Sequence, residues 1–202
     1  MIITAITKRK RQARYDVYLD GRYYVTLSED AVLTHRLRVG QEVEAASFAE
    51  TMRDAERQDA VAYVLSALST RAHTTRTATD KLREKGFSAD AIDYAIAKMK
   101  YYGYIDDEAY CEDYIAETHA SRSNRRIRQD LREKGIPDAV IAAHLADNDE
   151  HDACYLSLSR RARGKEMTPE FVAKLKRYLL QQGYEYDTVS DCLHRYAEEY
   201  DD

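Results

Sequence analysis

Apolar positions along this chain follow two different periods. Over residues 1–27 they alternate with polar ones, as in a half-buried strand. Ile2, Thr4 and Ile6 form one face, then Tyr15, Val17 and Leu19, then Tyr23, Val25 and Leu27. Asp20-Gly21 between the last two sets is a hairpin signal. A two-residue turn would set Tyr15, Val17 and Leu19 opposite Thr26, Tyr24 and Arg22. A three-residue loop with Gly21 in the left-handed bulge position pairs the apolar sets instead and is the preferred reading. Ser28 then caps a short helix with Glu29 and Asp30 in its first turn. Val32, Leu33 and Leu37 give that helix one apolar face. Gly40 ends the module or opens one more extended segment, Gln41 to Val43.

From about Glu50 onward the apolar spacing is three and four, the period of an amphipathic helix. One phrase recurs there. It reads Lys81-Leu82-Arg83-Glu84-Lys85-Gly86-Phe87, then Asp130-Leu131-Arg132-Glu133-Lys134-Gly135-Ile136, and in a worn copy Tyr178-Leu179-Leu180-Gln181-Gln182-Gly183-Tyr184. A repeat near fifty residues marks a stacked array. In each copy an apolar pair four residues apart ends a helical stripe: Ala78 and Leu82, Ile127 and Leu131, Leu175 and Leu179. The glycine takes the left-handed position beyond the helix end, where a Cβ is penalised. The apolar residue after it stands five positions before Ile92, Ile141 or Val189, the spacing of a hydrophobic staple across the next helix start. Each copy is therefore a helix, a tight corner and a second helix, with room for a third.

Nine helices follow: Ala55–Ser69, Thr75–Lys85 and Ala89–Lys100; Glu108–Ser121, Arg125–Lys134 and Asp138–Ala146; Asp152–Arg163, Pro169–Gln182 and Thr188–Glu199. Thr168 and Pro169 read as cap and first helical residue. Asp106 and Asp107 stand where carboxylates complement a helix start, a simpler account of them than metal binding. The expected fold is mainly α: three tandem three-helix repeats in an elongated array, preceded by a small β-hairpin and helix module. Its divisions fall at 1–50, 51–105, 106–150 and 151–202.

Composition narrows the function. The 202 residues carry a net charge of −5, with 33% charged and 44% apolar positions, a pI near 5.7 and a mean hydropathy of −0.67. Such a chain is not a polycation that coats nucleic acid. Seventeen tyrosines and no tryptophan suit half-buried packing on helices. Cys111, Cys154 and Cys192 are far apart and odd in number, so neither a disulfide framework nor a zinc knuckle is expected. No apolar run approaches a membrane span and no secretory leader is visible, which places the protein in the cytoplasm. The six histidines show no metal spacing, and His144 and His151 flank a loop and read as solvated. There is no Gly-rich phosphate loop and no GxSxG, so no enzyme, metal or cofactor is expected.

The informative chemistry is basic. Arg122, Arg125, Arg126, Arg128, Arg132 and Lys134 lie within thirteen residues, against Asp130 and Glu133. A second cluster is Arg160, Arg161, Arg163 and Lys165. A third is the arm from Lys8 to Arg14, with Arg9, Lys10 and Arg11 and no acid. Solvated helix faces would account for them. Docking on phosphate or on an acidic protein groove would use the same forked guanidinium bonds.

The chain resembles the RecX family, regulators of the RecA recombinase. The resemblance rests on Tyr15-Asp16-Val17-Tyr18-Leu19-Asp20-Gly21, on the phrase ending at Gly86-Phe87, on Gly103-Tyr104-Ile105-Asp106-Asp107-Glu108, and on the run from Arg126 to Ile136. Thr77-Ala78 and Ser121 to Asn124 depart from the family pattern, and the last fifty residues are the least typical. The resemblance implies a protein with no catalysis of its own, and a monomer is expected. It would lie in the groove of a RecA–single-stranded-DNA filament and restrain recombinase and coprotease activity. Two other classes compete: a stand-alone DNA-binding repeat protein, and a helical adaptor for another protein.

Overall fold

The computed structural model describes residues 1–10 and 13–200, the last of these by its backbone alone. It forms two compact units, Met1–Asp106 and Asp107–Asp202.

In the first unit, strands β1 (Ile3–Lys8), β2 (Arg14–Leu19) and β3 (Arg22–Ser28) form an antiparallel sheet in the order β1-β2-β3. The hairpin corrects the preferred loop. Leu19 pairs directly with Arg22, and Asp20 and Gly21 both take positive φ, +46° and +79°. That is a two-residue turn of the primed kind, which matches strand twist and which Asp tolerates. A bulge at Tyr24 then restores the expected partners, Val17 with Val25 and Tyr15 with Leu27. A second irregularity between Ile3 and Ala5 shifts the first strand. It buries Ile3 completely and leaves Ile2 43% exposed, the reverse of the alternation expected there.

Helix α1 (Glu29–Thr34) starts at Ser28, whose hydroxyl accepts from the Ala31 N–H. Ala31, Val32 and Leu37 face the sheet, whereas Leu33 points to solvent. Helix α2 (Ala45–Leu68) begins ten residues earlier than its apolar period suggests. Glu44 caps it by accepting from the Ala46 and Ser47 N–H groups at 3.0 and 2.7 Å. These bonds hold its carboxyl below the usual range. The early turns of α2 place Phe48, Met52 and Ala55 in the core of the sheet. Its later turns place Ala60, Val61 and Val64 in a second core, with α3 (Thr75–Glu84) and α4 (Ala89–Tyr101). One helix thus belongs to both cores.

In the second unit, α5 (Asp107–Thr118), α6 (Asn124–Glu133) and α7 (Asp138–Leu145) close around Cys111, Ile115, Ile127, Leu131, Ile136 and Ile141. Helices α8 (His151–Ala162), α9 (Pro169–Gln182) and α10 (Tyr186–Tyr200) close around a core including Cys154, Leu158, Leu175, Leu179, Tyr184 and Val189. All three cysteines are buried free thiols.

The recurring phrase has the same backbone solution each time. Gly86, Gly135 and Gly183 have φ of +77°, +84° and +95°. The residue after each glycine donates to the leucine carbonyl five positions back: Phe87 to Leu82 at 3.3 Å, Ile136 to Leu131 at 3.1 Å, Tyr184 to Leu179 at 3.3 Å. Each glycine donates three positions back, to Arg83, Arg132 or Leu180. These paired bonds satisfy carbonyls a helix end leaves open, and the apolar partners share a core.

Candidate partner-binding surface

The arginine-rich helix α6 is held by its own ends. Ser123 caps it, its hydroxyl accepting from the Arg126 N–H at 3.2 Å. Ile127 and Leu131 are fully buried, so the arginines take the remaining faces. Asp130 is buried among them at 8% exposure. It accepts from Arg122 Nη1 at 2.5 Å and from Tyr114 Oη at 3.0 Å, and forms an ion pair with Arg126 Nε at 3.1 Å. Burial, and then this bond to Asp130, push the Tyr114 phenol up. A buried carboxylate of this kind stands only because its oxygens are filled by charged donors. Arg132 reaches forward to Asp138 at 2.5 Å, which raises the guanidinium and lowers the carboxyl. Lys134 sits 5.7 Å from the ring centres of both Tyr110 and Tyr114.

The two faces of this arginine cluster open onto different surroundings. Arg122 and Arg126 meet Arg160 and Arg161 of α8 around a cleft of about 400 Å³. Ser121, Ser123 and Ser157 also line it, with Tyr178, Gln182 and Tyr184 from α9 and its corner. No carboxylate is among the lining residues. Arg161 lies over the Tyr178 ring at 4.6 Å. Arg125, Arg128 and Arg132 instead line a groove of about 760 Å³ shared with Asp149, Glu150 and Glu185. There the charges balance.

The other candidates separate. Arg163 and Lys165 lie at the α8–α9 corner, around a groove that also holds Glu166, Met167 and Val172. Lys165 stands 5.2 Å over the Phe171 ring. In the first unit Lys8 lies 5.6 Å over Tyr15, and Lys10 is exposed. Arg11 lies outside the described residues.

Two arginines of the N-terminal run are structural. Arg9 pairs with Asp16 at 2.8 Å. Arg14 is 7% exposed and donates to the carbonyls of Lys85 at 2.8 Å and Thr26 at 2.9 Å, its guanidinium 3.9 Å over the Phe87 ring. Burial pushes its pKa down, against the pull of Asp59 and Glu56. His151 is exposed at the edge of a loop, as expected, and also carries acidic neighbours. It opens α8, 2.7 Å from Asp149 and 3.5 Å from Asp191. Among the described residues no three His, Cys, Asp or Glu groups gather as a metal site, and no helix is long and apolar enough to cross a membrane.

Tyr178 and the serines of the cleft escape sequence reasoning, because an aromatic at helical spacing reads as core. One signal was available: Tyr178 occupies the same slot of the recurring phrase as Asp130, the residue before the leucine.

A small sheet followed by three-helix modules, with arginines of α6 and α8 gathered around one cleft, defines a tandem helical-repeat protein. Three family models match it in order: the regulatory protein RecX N-terminal domain over residues 1–44, the RecX first three-helix domain over 60–99, and the RecX second three-helix domain over 106–145. The chain belongs to the RecX family of regulatory proteins. The regulatory protein RecX of Caldanaerobacter subterraneus subsp. tengcongensis is 29% identical over 195 residues, 96% of this chain and 99% of that one. That of Clostridium botulinum is 26% identical, over 95% and 94%. A crystal structure of regulatory protein RecX superposes with a TM-score of 0.64 at 25% identity, covering 94% of this chain and 98% of the other. The crystal structure of RecX from Lactobacillus salivarius shares the fold over 69% of this chain, with a TM-score of 0.62 at 23% identity.

Proposed function

We propose that this protein binds the RecA recombinase and its single-stranded-DNA filament and restrains recombinase and coprotease activity, as a cytoplasmic monomer without catalysis of its own. The observation that carries the reading is the ordered match of the head and the first two three-helix modules to one family of regulators. The basic side chains of α6 and α8 support it. They supply forked donors for phosphate or carboxylate in a chain that is acidic as a whole. Arg122, Arg125, Arg126, Arg128, Arg132, Arg160 and Arg161 are the side chains assigned to the filament. The test is a strand-exchange reaction titrated with the protein, beside RecA-stimulated repressor cleavage. Both yields are expected to fall as protein is added. Unchanged yields at protein concentrations equal to the recombinase would refute the reading.

A further inference from the structure

The four-arginine cleft has a more specific meaning than a basic face. Three of its four guanidiniums are held in a way that leaves hydrogen-bonding edges open. Asp130 engages Arg122 through Nη1 and Arg126 through Nε, so other N–H groups of both remain. Tyr178 supports Arg161 by its face, and stacking leaves the planar edge for forked bonds. Among the described residues neither Arg160 nor Arg161 has a carboxylate within ion-pair distance. Ser157 adds a hydroxyl to the same wall. Four like charges around one cleft repel; Asp130 offsets part of the charge of Arg122 and Arg126, and no lining carboxylate relieves Arg160 and Arg161. The arrangement is stable to the extent that water, salt or a bound anion screens it. The lining is mostly guanidinium, hydroxyl and amide. A protein partner would seek buried apolar anchors at such a centre.

We propose that this cleft is a phosphate-binding site, and that the phosphate is supplied by the backbone of single-stranded DNA. Arg160 and Arg161 of α8 form one jaw and Arg122 and Arg126 the other, with Asp130 as the residue that positions the second pair. Tyr178 lies beside the phosphate track, as aromatic side chains do in grooves that follow a single strand. The inference rests on the filament reading above. It names which of the assigned arginines touch the nucleic acid, and the balanced groove of Arg125, Arg128 and Arg132 is left to protein.

The experiment uses the full chain and the double variant R160Q/R161Q, which among the described residues removes no ion pair or side-chain hydrogen bond, only the stack on Tyr178. A second double variant, R76Q/R83Q, carries the same charge change on the exposed face of α3. Fluorescence anisotropy with a labelled oligothymidylate, without recombinase, is read over a range of salt. R160Q/R161Q is expected to bind roughly tenfold more weakly, its log–log salt slope shallower by about 0.7 for each phosphate it no longer neutralises. R76Q/R83Q should bind like the wild type. Equal losses in the two variants, or none in R160Q/R161Q, would overturn the site. ATP and polyglutamate are added as competitors. Weak competition by both supports a backbone phosphate; displacement of the oligonucleotide by ATP at matched charge assigns the site to free nucleotide instead, and displacement by polyglutamate assigns it to an acidic protein segment. Filament binding by the wild-type protein is measured separately. Its failure would remove the recombinase reading while leaving the outcome at the cleft to stand by itself.

Discussion

Two arginine runs look alike in the sequence and end differently in the fold. The first, Lys8 to Arg14, is partly consumed by its own unit: Arg9 pairs with Asp16, and Arg14 is buried against the Phe87 ring and holds the carbonyl of Lys85. The second, Arg122 to Lys134, joins Arg160 and Arg161 at an open cleft. Neighbours explain the difference. Arg14 lies on the face of β2 opposite Val17 and Leu19, and the carbonyls of Lys85 at the Gly86 corner and of Thr26 receive it. The cleft arginines flank a helix whose apolar stripe is already full.

Beneath that contrast lies a shared device. The carbonyl just before Gly86 accepts from Arg14 at 2.8 Å, and the carbonyl just before Gly183 accepts from the Ser123 hydroxyl at 2.8 Å. Two residues after each glycine a backbone N–H donates to a buried glutamate: Ser88 to Glu56 at 2.9 Å, Glu185 to Glu150 at 3.0 Å. Glu150 also accepts from the Asn124 N–H at 2.7 Å, and Glu56 from the Ser88 hydroxyl at 2.7 Å. Each corner is pinned on both sides, by unlike donors and like acceptors.

The comparison can be broken at several points. Arg14→Ala removes two charge-assisted bonds and a ring contact from a buried site, and should cost about 3 kcal/mol in urea unfolding. Arg160→Gln at the open cleft should change stability by less than about 0.5 kcal/mol. Equal costs would erase the distinction between the two runs. Glu56→Gln and Glu150→Gln each replace an acceptor of two bonds by an amide that presents a donor, at about 2 kcal/mol apiece. A large cost at one and none at the other would show that the corners are not equivalent. Gly183→Ala places a Cβ 2.9 Å from Ser123 Oγ and 3.2 Å from Arg125 Cβ at positive φ. Gly21→Ala meets nothing within 4 Å and bears the left-handed backbone alone, about 1 kcal/mol. Gly183→Ala should be the costlier by about 1 kcal/mol, read as the difference in urea midpoints.

The smallest effect is a titration. Asp149 raises His151 above its ordinary value, with help from Asp191. A raised folded pKa means that the protonated pair stabilises below about pH 6.5, and that this contribution fades as pH rises through the folded value. His151 is half exposed, so the gain is under about 0.5 kcal/mol. His151→Gln should narrow the stability difference between acid and alkaline buffer; an unchanged difference would show that the pair contributes nothing.

What the chain discloses by itself is local. The Gly86, Gly135 and Gly183 corners follow from backbone rules within seven residues, and so do the caps at Ser28 and Thr168. The early start of α2 is hidden because Phe48 and Met52 answer to the sheet and not to the helices that follow, and because a glutamate caps it. The hairpin loop escapes its own residues because the correction to its register sits in β3, at Tyr24, and not in the turn. The cleft is out of reach for a different reason. Arg126 and Arg160 share the cleft because the start of α6 is tied to the α9 corner, Ser123 to Gln182, and α9 packs on α8; no spacing along the chain encodes that.

The direct test of the regulatory reading is an equilibrium titration of the protein into three samples: labelled single-stranded DNA, free RecA, and the filament assembled from both. The account predicts tighter binding to the filament than to either component, weakened in R160Q/R161Q. A filament bound no better than bare DNA, or not bound, would contradict it.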